Sequence, residues 1–263
     1  MHGHLRLDPL VLAAGACTLP WLGWASLPLT LGLGIAAHAR AITDPRCAWY
    51  GPTHYRCGDH AAPGVALTFD DGPHPESTPR ILDLLASHQQ QATFFVIGCH
   101  IPGHQAILRR MIDEGHEIGV HSQHHDRRFA LRSARRQGAD IDACRDAISQ
   151  ATGQAPPRLF RPPVGLRGPA TADVLRRRQM LLVTWSASAR DGCGGSPERS
   201  LKRLLPHWRP GAILVLHDGA EPGRPRDLSP STQALSLLLA QAPAGLPSRA
   251  LIPSPDNRLS TKG

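Results

Sequence analysis

The chain has 263 residues, 41% of them hydrophobic and 5% aromatic, and 29 Lys and Arg against 21 Asp and Glu leave a formal net charge of +8. That length suits one domain of barrel size. With two Tyr, five Phe and no interleaving of aromatic with basic residues, the chain lacks a base-stacking platform, which argues against nucleic acid as a partner.

The N-terminus reads as a region apart. From Pro9 to Ala39 there is no Asp, Glu, Lys or Arg. Such a run is long enough to cross a bilayer once, whereas Pro20 and Pro28 also fit two short segments forming a hairpin. Residues 1–39 are therefore expected to form an apolar membrane segment, one span or a hairpin; a soluble arm packed on the domain is the other reading. The expectation is a membrane-anchored chain, at a bacterial inner membrane, with the side left open by sparse, mixed flanking charges. Residues 40–62 read as a linker, within which Cys47 and Cys57 could pair on an oxidising side.

The following 190 or so residues alternate strand and helix patterns. Strands are predicted near 65–70, 92–98, 117–122, 159–163, 181–186, 212–217 and 248–252. Helices are predicted near 79–90, 104–114, 133–152, 171–179, 197–207 and 231–242. Seven strands alternating with helices suggest a parallel barrel. Residues 253–263 read as a frayed tail.

The chemistry-bearing residues fall just past the C-terminal ends of these strands, where parallel barrels assemble their sites. The first strand ends in Thr68-Phe69-Asp70-Asp71-Gly72-Pro73. Adjacent strand residues point to opposite faces, so both carboxylates reach one site only if the chain turns there, and Gly72-Pro73 is read as that turn. Two anions in one pocket call for a cation beside them. The third strand ends in His121-Ser122-Gln123-His124-His125. Spaced i,i+4, His121 and His125 would share one face of a helical turn. Alone, the pair reads as a solvated cluster in a chain with 15 His. With one Asp, it forms a facial ligand set that leaves positions open for water and substrate. Arg161-Pro162-Pro163-Val164-Gly165, Asp191 and His217-Asp218-Gly219 close three later strands in the same way.

Over residues 63–252 this order of motifs resembles the polysaccharide deacetylases, the NodB-homology domain of carbohydrate esterase family 4. The resemblance implies a distorted (β/α)7 barrel. It implies Asp70 as catalytic base, Arg161 as the residue that orients it, His217 as general acid and Asp191 as that acid's partner. It implies a divalent metal, zinc first and cobalt or another divalent ion as alternatives, on Asp71, His121 and His125. Val164, on the turn with Pro163, would offer its main-chain N–H to the oxyanion. The implied reaction is hydrolysis of an N-acetyl or N-formyl group on an amino sugar of a polysaccharide or glycoconjugate. Alternatives are a deformylase or deacetylase of a lipid-linked sugar, so that the substrate is a carbohydrate or a glycolipid, and a non-catalytic carbohydrate-binding barrel.

The chain also departs from the family pattern. Val120 stands where the second motif opens with Asn, and Val164 where the third carries an aromatic. The fourth, Asp-x-x-Asp-Trp in the family, reads Ser188-Ala189-Arg190-Asp191-Gly192 here. The expectation is a changed sugar groove, poor activity on short chitin oligomers and better activity on a bulky or lipid-linked amino sugar.

Overall fold

The computed structural model of the chain describes residues 27–57, 64–253 and 259–261. Seven strands form one parallel sheet: β1 Ala66–Asp70, β2 Ala92–Val96, β3 Glu117–Val120, β4 Leu159–Phe160, β5 Leu181–Leu182, β6 Ala187–Ser188 and β7 Ile213–His217. Their order is β5-β4-β3-β2-β1-β7-β6. The sheet curls into a half-barrel, consistent with the expected distorted barrel, and its edges β5 and β6 are not paired with each other. The helices are α1 Leu27–Thr43, α2 Ser77–Ser87, α3 Gln105–Asp113, α4 Ala134–Thr152, α5 Pro169–Arg177, α6 Pro197–Leu204 and α7 Ser229–Gln241.

Local chemistry explains the helix ends. The Ser133 hydroxyl accepts the Arg136 N–H ahead of α4, and left-handed Gly153 (φ 71) closes that helix. Ser196 caps α6 in the same way, with Pro197 at its first position. Along β1, alternation divides the residues between two environments. Leu67 and Phe69 join the large core under the helices, while Ala66 joins a smaller core with Phe95, Leu159, Val183 and Ile213. Thr68 and Asp70 share the face of Ala66, so the same alternation carries a polar pair into the sheet's concave side. Burying each large apolar side chain contributes about 1.5–3 kcal/mol, which is what holds these strands in register.

Three expectations need correction. The seventh strand of the sheet is β6, two residues long, and not the run at 248–252. The stretch expected as one strand, 181–186, pairs only at Leu181–Leu182, and the chain then crosses to the sheet's other edge, where Ala187 pairs with Leu214. Leu251–Pro253 (β8) pairs instead with Leu259–Thr261 (β9) in a separate antiparallel ribbon, so part of the expected tail is paired. Within the expected linker, residues 44–57 lie across the open seam. His54 bridges to Val183, Arg56 to Ala212, and Cys57 donates its N–H to the Gly211 carbonyl at 2.9 Å. Cys47 and Cys57 are both free thiols.

The expected N-terminal membrane segment falls mostly outside the described residues. Residues 1–26 lie outside the described residues. Among those described, no helix is long and apolar enough to cross a membrane. Helix α1 covers the last part of the expected segment and continues to Thr43, with Leu31, Leu33 and Ile35 more than half exposed.

Candidate active site

Strand register sets the site. Asp70 and His217 are Cα partners across β1 and β7, and Val120 is partnered by Val96 and Phe160 across the neighbouring strands. His121 and Arg161 then extend the ladder by one residue each, donating their N–H groups to Val96 and Val120. Asp70, Asp71, His121, Arg161 and His217 thus leave the sheet at nearly one level.

The turn that separates the two carboxylates is made at Asp71 itself, which is left-handed (φ 74), one residue earlier than the sequence suggests. The turn is clamped from outside. Ile97 donates its N–H to the Gly72 carbonyl at 2.8 Å, and the His100 ring donates to the Asp71 carbonyl at 3.0 Å. Gly72 must be glycine because a Cβ would collide with the Asp218 carboxylate. Asp218 is fully buried, accepts from the Thr78 hydroxyl at 2.6 Å, and burial pushes its carboxyl up to about 7 despite that bond.

The histidines are not on a helical turn. They lie in a loop with left-handed residues at Ser122 (φ 71) and His125 (φ 50), fixed by Asp140 of α4, which accepts the Gln123 N–H at 2.7 Å. The loop still brings both rings to Asp71. His121 Nε2 and His125 Nε2 lie 3.4 and 3.3 Å from Asp71 Oδ1. His124 turns away to Asp140. Asp71, His121 and His125 are buried, with one ligand atom from each within 4.8 Å of the others.

This donor set fits a divalent ion. Tetrahedral ligands about 2.0–2.1 Å from an ion stand about 3.3–3.4 Å apart, which is the distance of each histidine from Asp71 here. His121 Nδ1 donates to the Arg161 carbonyl at 2.8 Å, which fixes the tautomer and leaves Nε2 free to ligate. Burial lowers the His125 pKa to about 3, so its ring is neutral as ligation requires. Burial raises the Asp71 pKa, but the facing imidazoles outweigh it and hold the carboxyl well below the usual range.

Two ion pairs flank the three ligands. Arg161 is fully buried and binds Asp70 Oδ1 at 2.7 Å. Its other donors go to the Thr68 hydroxyl at 2.8 Å and the Thr184 carbonyl at 3.0 Å, and its guanidinium lies 4.1 Å over the Phe95 ring. On the other side, His217 Nδ1 donates to Asp191 Oδ1 at 2.7 Å, while the His217 main-chain N–H reaches Oδ2 at 2.9 Å. Burial lowers the His217 pKa, but Asp191, with help from Asp71 and Asp70, pushes it up to about 9. Pro163 is buried, and Val164 stands left-handed (φ 50) and partly exposed on the loop after β4.

Every site residue expected from the sequence therefore lies in this region. Missed by sequence reading were Thr68, Asp140, Asp218 and Arg226, whose guanidinium ties the Asp191 carbonyl (3.1 Å) to the Gly219 carbonyl (2.8 Å). Thr68 and Asp218 sit inside the quoted motifs, and strand alternation would have placed Thr68 beside Asp70. Arg226 and Asp140 carry no local signal.

A family model described as polysaccharide deacetylase matches residues 58–183. The chain is 39% identical over 184 residues to a chitooligosaccharide deacetylase of Bradyrhizobium sp. (strain ANU 289), covering 66% of this chain and 82% of that one. It is 32% identical over 180 residues to a peptidoglycan-N-acetylglucosamine deacetylase of Bacillus cereus, covering 67% and 80%. The solved structure of the Bc1960 peptidoglycan N-acetylglucosamine deacetylase superposes with a TM-score of 0.65 at 30% identity, covering 72% of this chain and 85% of that one. The motif order, the curled parallel sheet and these likenesses agree: the chain belongs to the polysaccharide deacetylases of carbohydrate esterase family 4, hydrolases of carbon–nitrogen bonds other than peptide bonds.

Proposed function

We propose that this chain removes N-acetyl groups from N-acetylglucosamine residues of a glycan, and that it does so with a divalent ion, zinc first, held by Asp71, His121 and His125. The observation that carries this reading is the convergence of those three ligands between the Arg161–Asp70 and Asp191–His217 pairs, each 2.7 Å long. The named activities of the two relatives support the sugar and the acyl group.

The chain's own residues divide the work. Asp70, held in place by Arg161, takes a proton from the attacking water as its oxygen bonds to the acyl carbon. Negative charge collects on the carbonyl oxygen, where the Val164 N–H, presented by the turn at Pro163, donates a hydrogen bond. His217 gives its Nε2 proton to the amide nitrogen as the C–N bond breaks, leaving acetate and a free amine. Asp191 holds the ring in the tautomer that points Nε2 toward the reaction. A bound divalent ion supplies activation of water and polarisation of the acyl carbonyl.

A second reading, a lipid-linked amino sugar met at a membrane surface, is supported by the exposed Leu31, Leu33 and Ile35 of α1. One experiment tests both. Acetate and formate release is measured from chitooligosaccharides, peptidoglycan fragments and lipid-linked amino sugars, with metal content and chelation as controls. The expected result is acetate release, about one divalent ion per chain and loss of activity on chelation. Release from the lipid-linked sugar alone would favour the second reading. No release from any pool by the ion-loaded protein would leave a carbohydrate-binding barrel.

A further inference from the structure

Outside the catalytic centre, the open seam of the sheet holds a cleft of about 1050 Å³. That is the size of a small-ligand pocket. Its walls carry Arg40, Arg46, Arg190, Arg203 and His207, with Asp44 as the one acid. Asp44 is already engaged, its carboxylate paired with Arg40 at 3.4 Å and accepting the Arg46 main-chain N–H at 2.9 Å. Arg46, Arg190 and Arg203 have no carboxylate partner among the described residues. Three arginines from three different segments thus line one concavity with no carboxylate partner among the described residues, and like charges gathered in one concavity favour an anion among them.

The cleft abuts the active site through Trp185. This indole lines the cleft, lies 5.7 Å from the Arg161 guanidinium, and fills the space beside Gly165, where a Cβ would come within 2.5 Å of its ring. Arg190 directly precedes Asp191 and is held left-handed (φ 56), a strained conformation for a non-glycine residue. Ser188, at the position of the family motif's first acid, also lines the cleft, so the charge that would have offset Arg190 is missing.

We propose that this cleft binds the phosphate of a glycosyl phosphate, so that the preferred substrate is a phosphate-bearing amino sugar rather than a neutral oligomer. A planar aromatic wall beside three guanidinium groups suits a sugar ring carrying a multiply charged anion with several acceptor oxygens. A single carboxylate would occupy only one of the three forks. For catalysis the proposal rests on the deacetylase reading; for binding it does not.

The test uses the full chain. Glucose 1-phosphate, which has no acyl group to lose, is titrated by calorimetry into the wild type, into Arg190→Gln and into the triple variant R46Q/R190Q/R203Q. Binding should weaken about tenfold or more in the triple variant, with Arg190→Gln between. In parallel, kcat/KM is compared for an N-acetylglucosamine oligomer with and without a terminal phosphate. The wild-type preference for the phosphorylated form should fall toward unity in the triple variant. A third arm carries the same phosphate on a lipid in micelles; binding of that form alone identifies a lipid headgroup, and binding of both identifies a free glycosyl phosphate. Failure of the wild type to bind either form, or equal binding by wild type and triple variant, overturns the proposal. If binding behaves as expected but no acetate is released from any oligomer, the cleft stands and the deacetylase reading falls.

Discussion

The two ion pairs beside the ligand triad have the same length and opposite characters. Arg161 is sealed inside the curled sheet, its charge permanent and its donors spent on Asp70, Thr68, Thr184 and the Phe95 face. His217 keeps about a fifth of its side chain exposed, and its charge depends on pH and on Asp191. A general base needs one fixed orientation, which a buried fork supplies. A general acid must gain and lose a proton in each cycle, which requires a titratable ring with access to solvent. One pair therefore belongs to the fold as much as to the chemistry, whereas the other belongs mainly to the chemistry.

The largest effect should come from breaking the sealed pair. Arg161→Met leaves the Asp70 carboxylate buried without a partner, and losses of about 3–5 kcal/mol are typical of such a change. Urea unfolding should show that loss together with loss of turnover. Asp191→Ala, on the other pair, should destabilise less, because His217 can lose its charge. Equal destabilisation of the two variants would erase the distinction.

The next effect is on rate alone. Asp70→Asn and His217→Ala should each lower kcat by about 10²–10⁴-fold while the protein still binds one divalent ion. Metal analysis alongside steady-state kinetics checks both statements. A near-normal rate in either variant, on a verified substrate, removes that residue from its role.

The sequence revealed the site more fully than it revealed the frame. Asp70, Asp71, His121, Arg161 and His217 were readable because each ends an apolar strand, and parallel strands deliver their C-terminal residues to one place. The means of delivery was less visible. The bend sits at Asp71 and not at Gly72-Pro73, and the histidine loop depends on left-handed Ser122 and His125, which spacing alone cannot distinguish from a helical turn. Strand β6 escaped notice because two residues carry no periodicity, and the 44–57 segment read as a linker because its bonds go to partners more than 100 residues away. Arg226 and Asp140 reach the site from outside every quoted motif, across 7 to 35 residues, with no periodic spacing to mark them.

A smaller effect should sharpen the contrast through pH. His217 titrates well above the ordinary imidazole value, near 9, chiefly because Asp191 outweighs the cost of burial. The acid is therefore protonated across neutral pH, and kcat/KM should fall only as pH rises through the alkaline range. Asp191→Asn removes the carboxylate charge, so the falling limb should move to lower pH. Stability follows the same sign. Because the folded pKa is raised, the pair's stabilisation is fully present below the unfolded value of about 6.5 and is lost as pH rises toward 9. The Arg161–Asp70 pair should show no alkaline loss over that interval. An unmoved alkaline limb in Asp191→Asn would place the titration on another group.

The smallest effect concerns the wall beside the acid. Gly192 occupies the place of the family's motif tryptophan, and a Cβ built there would lie 3.3 Å from His217 Cε1 and 3.4 Å from Nε2. The ring edge would need to give by a few tenths of an ångström, which an exposed loop can absorb. Gly192→Trp should thus add an aromatic face next to the leaving amine and leave the sealed Arg161–Asp70 pair untouched. Stacking of a neutral sugar on that face should lower KM for short chitooligosaccharides by about two- to tenfold, in line with roughly 0.5–1.5 kcal/mol for an added aromatic contact. If the indole instead crowds His217, kcat falls and the alkaline limb shifts, because the acid itself has been disturbed. Separate measurement of kcat, KM and the pH profile distinguishes the two outcomes. A fall in KM at constant kcat identifies the missing aromatic as a lost sugar wall, and a fall in kcat identifies Gly192 as space the acid requires.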